Sequence, residues 1–340
     1  MAKMAGISVA TISRATNPET RSKIAPATLK KIDALIKKYK YVPNLAAREL
    51  NNPGIKTIGI VFPYNRDIFY SAYYTHLLSS IANFLLDTDY RFKLILFKQK
   101  KRKWDWYDFK IGEGVSGIIL THWFMFFSKK RLQGKWKDVP YVIINDFDKS
   151  IKGYFVYEDS FSGGEEAAKY LYNLGHRNVA IITGSHRSSD SNRRQAGFQS
   201  FYKDRGIFID SDSIVEGDFG DNKKTFKAVD DLVRLKRRPT AMFCCNDNIA
   251  FAAINRLKEK GVSCPGNISV IGYDDDPSSR NFNPPLTTIR VPLYDLGQRA
   301  IEVLLNHIRN KSQREGLYGQ SCFPVQLIER QSVKAIISNK

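Results

Sequence analysis

Apolar residues follow two different periods along this chain, and the change divides it near residue 55. In the first part they recur at helical spacing: Ile7, Val9 and Ile12 in one short segment, then Leu29, Ile32, Leu35, Ile36 and Tyr39 in a longer one. Ser8 stands where it can cap the short helix, and Gly6 supplies a tight turn from the Met1–Ala5 fragment before it. Pro18 to Lys23 reads as a loop, and Pro26 suits the first turn of the longer helix. The pattern predicts helix, turn, helix, with a third helix as cover and with Thr11, Ser13 and Arg14 on the open side of the second. Pro43-Asn44 then stops the chain. Asn44 can cap Leu45–Leu50, a helix of under two turns that is marginal in water by itself.

Beyond Ile55 short apolar runs alternate with helical lengths. Thr57–Phe62, Phe92–Phe97, Gly117–Leu120 and Tyr141–Asn145 form one set of strands. Asn178–Thr183, Ala241–Asn246 and Ile268–Tyr273 form a second, with helices at Phe161–Leu174 and Asn248–Lys260. Near-continuous apolar strands separated by helices predict parallel sheets covered on both faces, hence a bilobed α/β unit with a cleft. In open parallel sheets ligands bind beyond the carboxyl ends of the strands. Three strand ends here carry acids: Asn145-Asp146, Asn246-Asp247 and Asp274-Asp275. With the donor fork of Arg194 they form a set suited to vicinal hydroxyls. Each also has a plainer role open to it, since Asp247 can cap the helix that follows and Asp274–Pro277 can be a turn.

Charge sharpens the picture. The 340 residues carry a net charge of +19, and residues 1–54 hold ten Lys and Arg against three Asp and Glu. A basic segment coinciding with a helix-turn-helix pattern points to a polyanionic partner, double-stranded DNA. The Lys98–Lys103 cluster reads instead as an exposed loop. Four cysteines and five histidines show no metal-ligand or disulfide spacing, so no metal or cofactor is expected. No run is apolar and long enough to cross a membrane, and no signal peptide is evident, which predicts a cytoplasmic protein. Gly112-Glu-Gly-Val-Ser-Gly117 fits a dinucleotide fingerprint in letters, but it precedes a strand instead of following one. The catalytic patterns GxSxG, HExxH and Walker A are missing, and His176 sits in a helix-ending turn; no enzyme activity is expected.

Ala2-Lys-Met-Ala-Gly-Ile-Ser-Val-Ala-Thr-Ile-Ser-Arg14 resembles the N-terminal helix-turn-helix of the LacI/GalR family of bacterial repressors. Tyr41-Val-Pro-Asn-Leu-Ala-Ala-Arg-Glu-Leu50 resembles that family's hinge, and the likeness continues almost to the C-terminus. It implies a small all-α helix-turn-helix DNA-binding domain at 1–43 and a hinge helix and linker at 44–54. An α/β periplasmic-binding-protein-like (type I) bilobed effector domain follows, with lobes at 55–156 plus 288–320 and 157–287 plus 321–340. Crossovers are expected near Tyr157, Pro284-Pro285 and Cys322. On DNA, Val9 and Ala10 would read bases, with Arg14 as a further base contact and Ser8, Thr11 and Ser13 beside them. Leu50 would wedge a base step, supported by Asn44 and Ala47.

For the effector, the resemblance implies contacts from Asp146, Arg194, Asn246 and Asp274, with Phe219 stacked on a sugar or sugar phosphate. Trp123–Phe127 departs from the common pattern and reads as core or pocket wall. The implied partners are a near-palindromic operator, a small carbohydrate and a second copy of the chain, since no apolar heptads of a tetramerising tail follow the last strand. The alternative is a sugar receptor or sugar-metabolising protein of the same fold without DNA binding; the basic residues 1–54 argue against it. Family members begin with a further Thr-Ile-x-Asp-Val-Ala-like turn, and here Met1 takes its Val position. The DNA-binding domain is therefore expected to be loosened.

Overall fold

The computed structural model describes residues 6–16, 18–39, 56–63, 69, 71–97, 99–100, 103–104, 114–121, 139–145, 147, 150–186, 188–219, 222–310 and 318–336. Asn44, Ala47 and Leu50 of the expected hinge, the expected effector contact Asp146, and Trp123–Phe127 lie outside them, as do Lys98, Lys101 and Arg102 of the basic cluster. The chain forms two units, Met1–Ile55 and Lys56–Lys340.

In the first unit α1 spans Val9–Thr16, α2 Pro18–Arg21 and α3 Pro26–Tyr39. Gly6 makes the entering turn with φ +64, a left-handed conformation that favours glycine. Ser8 Oγ accepts from the Thr11 backbone N–H at 3.1 Å and so caps α1. Ile12, Ala15 and Ile32 form the buried core, with Ile7, Ile24, Leu29 and Ile36 against it. The stretch expected as a loop after α1 is instead the helical turn α2. Pro18 starts it without a missing hydrogen bond, and Arg21 ties it down by donating to the Ala15 carbonyl at 2.8 Å and to Asp33 at 2.6 Å.

The second unit holds two six-stranded sheets. The strands of the first are β1 (Thr57–Pro63), β2 (Arg91–Phe97), β5 (Gly117–Thr121), β6 (Tyr141–Ile144), β7 (Tyr154–Glu158) and β13 (Gly319–Phe323). They pair in the order β13-β7-β6-β5-β1-β2, all parallel. The second sheet runs β14-β12-β11-β10-β8-β9, from Val179–Thr183 (β8), Ile214–Glu216 (β9), Ala241–Cys244 (β10), Ser269–Asp274 (β11), Thr287–Arg290 (β12) and Gln326–Ile328 (β14). Only β14 is antiparallel. Between β2 and β5 a two-residue hairpin pairs β3 (Gln99–Lys100) with β4 (Lys103–Trp104). Both faces of the first sheet are covered: Ile58, Ile60 and Phe62 of β1 enter one apolar cluster while Val61 enters another, which is why its strands read as unbroken apolar runs.

Helices flank the sheets: α4 (Ala72–Leu86), α5 (Ser160–Asn173), α6 (Ser189–Lys203), α7 (Asn222–Arg234), α8 (Asp247–Glu259) and α9 (Leu293–Arg309). The chain passes between the sheets three times, after Glu158, between Arg290 and Leu293, and between Phe323 and Gln326. Two of these differ from the expected boundaries. Residues 288–290, expected in the first lobe, form β12 of the second sheet, because Thr287 and its neighbours pair with β11 and Thr288 hydrogen-bonds Asp247 at 2.6 Å. Pro284-Pro285 lies in the loop that feeds this strand. Likewise residues 321–323 still pair with β7 of the first sheet. No helix among the described residues is long and apolar enough to cross a membrane.

Helices α5 and α6 meet backbone to backbone. A Cβ on Gly164 would stand 2.0 Å from the Arg194 carbonyl oxygen, and one on Gly197 would stand 2.0 Å from that of Phe161. This close approach fixes the helix carrying Arg194. Gly197→Ala should therefore cost about 1–3 kcal/mol as the helices are forced apart. Urea unfolding measures this, and an unchanged midpoint would show the contact to be slack.

Candidate effector site

Four chain segments bring polar side chains to the carboxyl ends of the two sheets. Arg194 projects from the middle of α6 with its side chain only 5% exposed. Its Nη2 donates to Glu158 Oε1 at 2.8 Å and its Nη1 to the Cys245 carbonyl at 2.7 Å. Nη1 also faces Asp274 Oδ1 at 3.2 Å, an ion pair too poorly aligned for a hydrogen bond. The guanidinium carbon lies over the Tyr273 ring, 3.7 Å from its centre, so an aromatic face supports the cation.

Backbone strain sets the direction of the acids. Asp274 ends β11 with φ +112 and Asp275 follows with φ +56, conformations rare outside glycine. Asp275 is held there by Arg290 at 2.7 Å and Arg330 at 2.5 Å, which leaves Asp274 turned toward Arg194. Asp247 is buried and fully engaged: it accepts from the Asp276 N–H at 2.8 Å, Ser279 at 2.7 Å and Thr288 at 2.6 Å. It therefore braces the loop after β11, and Asn246 is the cap, taking the Ile249 N–H at 2.8 Å. From the first sheet comes Asn145, φ +55, whose amide donates to the Tyr73 hydroxyl at 2.5 Å. Phe219 is half-exposed with its ring against Gly184 at the end of β8, where a Cβ would lie 2.0 Å from the ring.

Among the described residues six buried side-chain polar atoms lack a hydrogen-bond partner, and five belong here: Asn145 Oδ1, Glu158 Oε2, Arg194 Nε, the Tyr273 hydroxyl and Asp274 Oδ1. Buried polar atoms are normally paired, so such a concentration marks a place built for polar contact beyond the protein itself. Of the expected effector residues, the structure gathers Arg194 and Asp274 into one cluster and sets Asn246 and Phe219 on neighbouring strand ends. Asp146 lies outside the described residues.

Sequence reasoning missed Glu158, Tyr273 and Tyr73. Glu158 was findable by the same strand-end argument, had Tyr154–Glu158 been read as a strand. Tyr73 carried no signal: it starts a helix on the other sheet, and burial holds its hydroxyl well above the usual range, with Asp190 adding to the effect. Also missed was the contact of Arg193, which donates to the Phe147 carbonyl at 2.9 Å while its guanidinium sits over the Phe147 and Tyr157 rings, linking α6 to the first sheet. His176 has the structural role expected of it, buried between Thr240 Oγ1 at 2.9 Å and the Lys334 carbonyl at 3.0 Å. No group of side chains among the described residues could hold a metal ion.

Burial pushes the Asp274 carboxyl up to about 7; Arg194 opposes the shift and Glu158 adds to it. Burial likewise lifts Asp247 to about 8 against its three donors, with the Asp274 charge adding. An acid raised in the folded state stays protonated after its unfolded counterpart has ionised at about pH 4, so stability falls as pH rises from there through the folded value. Asp274→Asn should flatten that fall between about pH 4 and 7. Urea unfolding across this range checks it, and an identical slope in the variant would contradict the assigned shift.

With this geometry in place, comparison with known proteins is informative. The bacterial regulatory proteins, lacI family, match at residues 1–44, and the periplasmic binding protein-like domain at 168–333. An HTH-type transcriptional repressor PurR of Histophilus somni is 31% identical over 341 residues, covering 99% of this chain and 98% of its own. A Lac repressor dimer bound to operator and the anti-inducer ONPF superposes with a TM-score of 0.78 at 22% identity, covering 98% of both chains. The complex of the transcriptional regulator CelR with cellobiose gives a TM-score of 0.70 at 21% identity, covering 97% of this chain and 98% of the other. These likenesses at low identity share the fold, and the repressor at 31% fixes the lineage. This chain belongs to the LacI family and is a DNA-binding transcriptional regulator, not an enzyme, in which a helix-turn-helix unit is joined to a two-lobed effector domain.

Proposed function

We propose that this protein is a cytoplasmic, dimeric repressor whose grip on a near-palindromic operator is set by a small carbohydrate held where the two sheets face each other. The observation that carries the reading is the cluster of five buried polar atoms without a hydrogen bond around Arg194, drawn from both sheets. A polyhydroxyl ligand both donates and accepts, so it can satisfy carboxylate and amide oxygens and the Arg194 Nε–H together. Phe219 offers a ring face of the kind on which a sugar stacks. The solved relative with cellobiose is a regulator of the same fold holding a saccharide. Asp146, Arg194, Phe219, Asn246 and Asp274 are the assigned effector contacts, with Tyr73, Asn145 and Glu158 added from the geometry.

On the DNA side Ser8, which caps α1, and Val9, Ala10, Thr11, Ser13 and Arg14 of α1 are assigned to the major groove. Asn44, Ala47 and Leu50 are assigned to the minor groove. In support, Ala10 and Arg14 are exposed, as base-reading positions must be, while Ile12 and Ala15 of the same helix are buried. The domains are assigned along the expected division, with β12 moved to the second lobe and β13 kept whole in the first.

A ligand that bridges the lobes shifts operator affinity only by its differential affinity for the two states. Arg14→Ala should cost about 1–3 kcal/mol of operator binding and relax discrimination at one base pair. Asp274→Ala should bind the operator as the wild type does and stop responding to the saccharide that stabilises the wild type. Fluorescence anisotropy on a duplex selected from random sequence by the full chain tests both. Loss of operator binding in Asp274→Ala with the saccharide response intact would refute the division of labour.

A further inference from the structure

A lone buried arginine in a ligand cleft is an anion hook, because its planar fork matches phosphate and carboxylate. Arg194 is not free to act as one. Nη2 is spent on Glu158, Nη1 on the Cys245 carbonyl, and Asp274 Oδ1 lies 3.2 Å from the same nitrogen. The Glu158 side chain is 1% exposed, so its charge acts on Arg194 with little screening. Two carboxylates thus face one guanidinium. Asp190, one turn earlier on α6, adds a third acid that Arg194 feels. Arg193, its neighbour on α6, is engaged with Phe147 and Tyr157.

The unpartnered atoms lean the same way. Asn145 Oδ1 and Glu158 Oε2 are acceptors, Asp274 Oδ1 is one when its carboxyl is ionised, Arg194 Nε is the one obligate donor, and the Tyr273 hydroxyl can be either. An anionic ligand would bring acceptors to acceptors and negative charge to carboxylates. Ser160 Oγ fixes Glu158 by donating to Oε1 at 2.8 Å, so the carboxylate cannot turn away.

Resting on the reading of this cluster as the effector site, we infer that Glu158 determines the chemical class of the effector. The cleft takes a ligand that presents hydroxyl or ammonium donors and carries no phosphate or carboxylate. Glu158 does this by cancelling the charge of Arg194, which leaves a hydrogen-bond donor in place of an anion site.

Thermal unfolding of the full chain tests this with inorganic phosphate as the probe. Phosphate is compared with sodium chloride at matched ionic strength, at about pH 6, where Asp274 is largely protonated. Glu158→Gln keeps an oxygen for Arg194 and Ser160 but removes the charge. It should gain a phosphate-dependent rise in Tm that the wild type lacks and that Glu158→Gln/Arg194→Met loses; the double variant also subtracts phosphate bound by the basic N-terminal unit. A second arm uses matched ligands: glucose, glucosamine and glucose 6-phosphate, and ribose with ribose 5-phosphate. Stabilisation of the wild type confined to members without phosphate supports the inference. A phosphorylated member that stabilises the wild type but not Arg194→Met would overturn it, as would a Glu158→Gln variant with no gain toward phosphate. Stabilisation only by neutral compounds that are not carbohydrates would overturn the carbohydrate reading and leave the role of Glu158 standing.

Discussion

The buried Arg194 guanidinium is the constraint on which the effector site depends. A charge 5% exposed is sustained only by partners that replace its lost hydration, and here these are Glu158, the Cys245 carbonyl and the face of Tyr273. They come from β7, the end of β10 and β11, so one side chain ties the first crossover strand to two strands of the second sheet. Since β7 belongs to the first sheet, the pair Arg194–Glu158 spans the boundary between lobes. Any ligand that changes how this cation is solvated acts at the joint itself.

The rest of the second lobe holds that cation in register. Gly164 and Gly197 let α5 and α6 touch backbone to backbone, Asp159 caps α5 just after the crossover, and Asp275 between two arginines keeps Asp274 in its strained turn. Strain of this kind persists only where surrounding contacts over-determine it, and it clusters at functional sites. Asp247 is the counter-example that clarifies the rule: more deeply buried than Asp274 and likewise an acid at a strand end, it has a donor for each oxygen and serves the fold. Burial and charge do not by themselves distinguish a bracing acid from one available to a ligand; unmet hydrogen-bonding capacity does.

Much of this was legible in the sequence because the strongest signals are periodic. Helical spacing found the first unit's core at Ile12 and Ile32, and unbroken apolar runs found the central strands of both sheets. Strand-end logic reached Asp274, and the family resemblance reached Arg194. Short polar strands escaped: β9 and β13 at sheet edges and β12 one strand in from an edge carry Glu, Thr, Arg, Gln and Ser, and tertiary pairing decides them more than composition. Glu158 escaped with the strand that bears it. Tyr73 meets Asn145 across 72 positions of chain, a proximity that only the folded topology creates.

The account turns on Arg194 and Glu158 acting as one buried pair, and a double-mutant cycle measures that directly. Breaking such a pair from one side leaves an uncompensated charge, so Arg194→Met alone should cost about 3–5 kcal/mol in urea unfolding at neutral pH. Adding Glu158→Gln should restore a large part of that loss, giving a coupling of about 2 kcal/mol or more. Additive effects of the two substitutions would mean that the residues do not depend on each other, and would contradict the account at its centre.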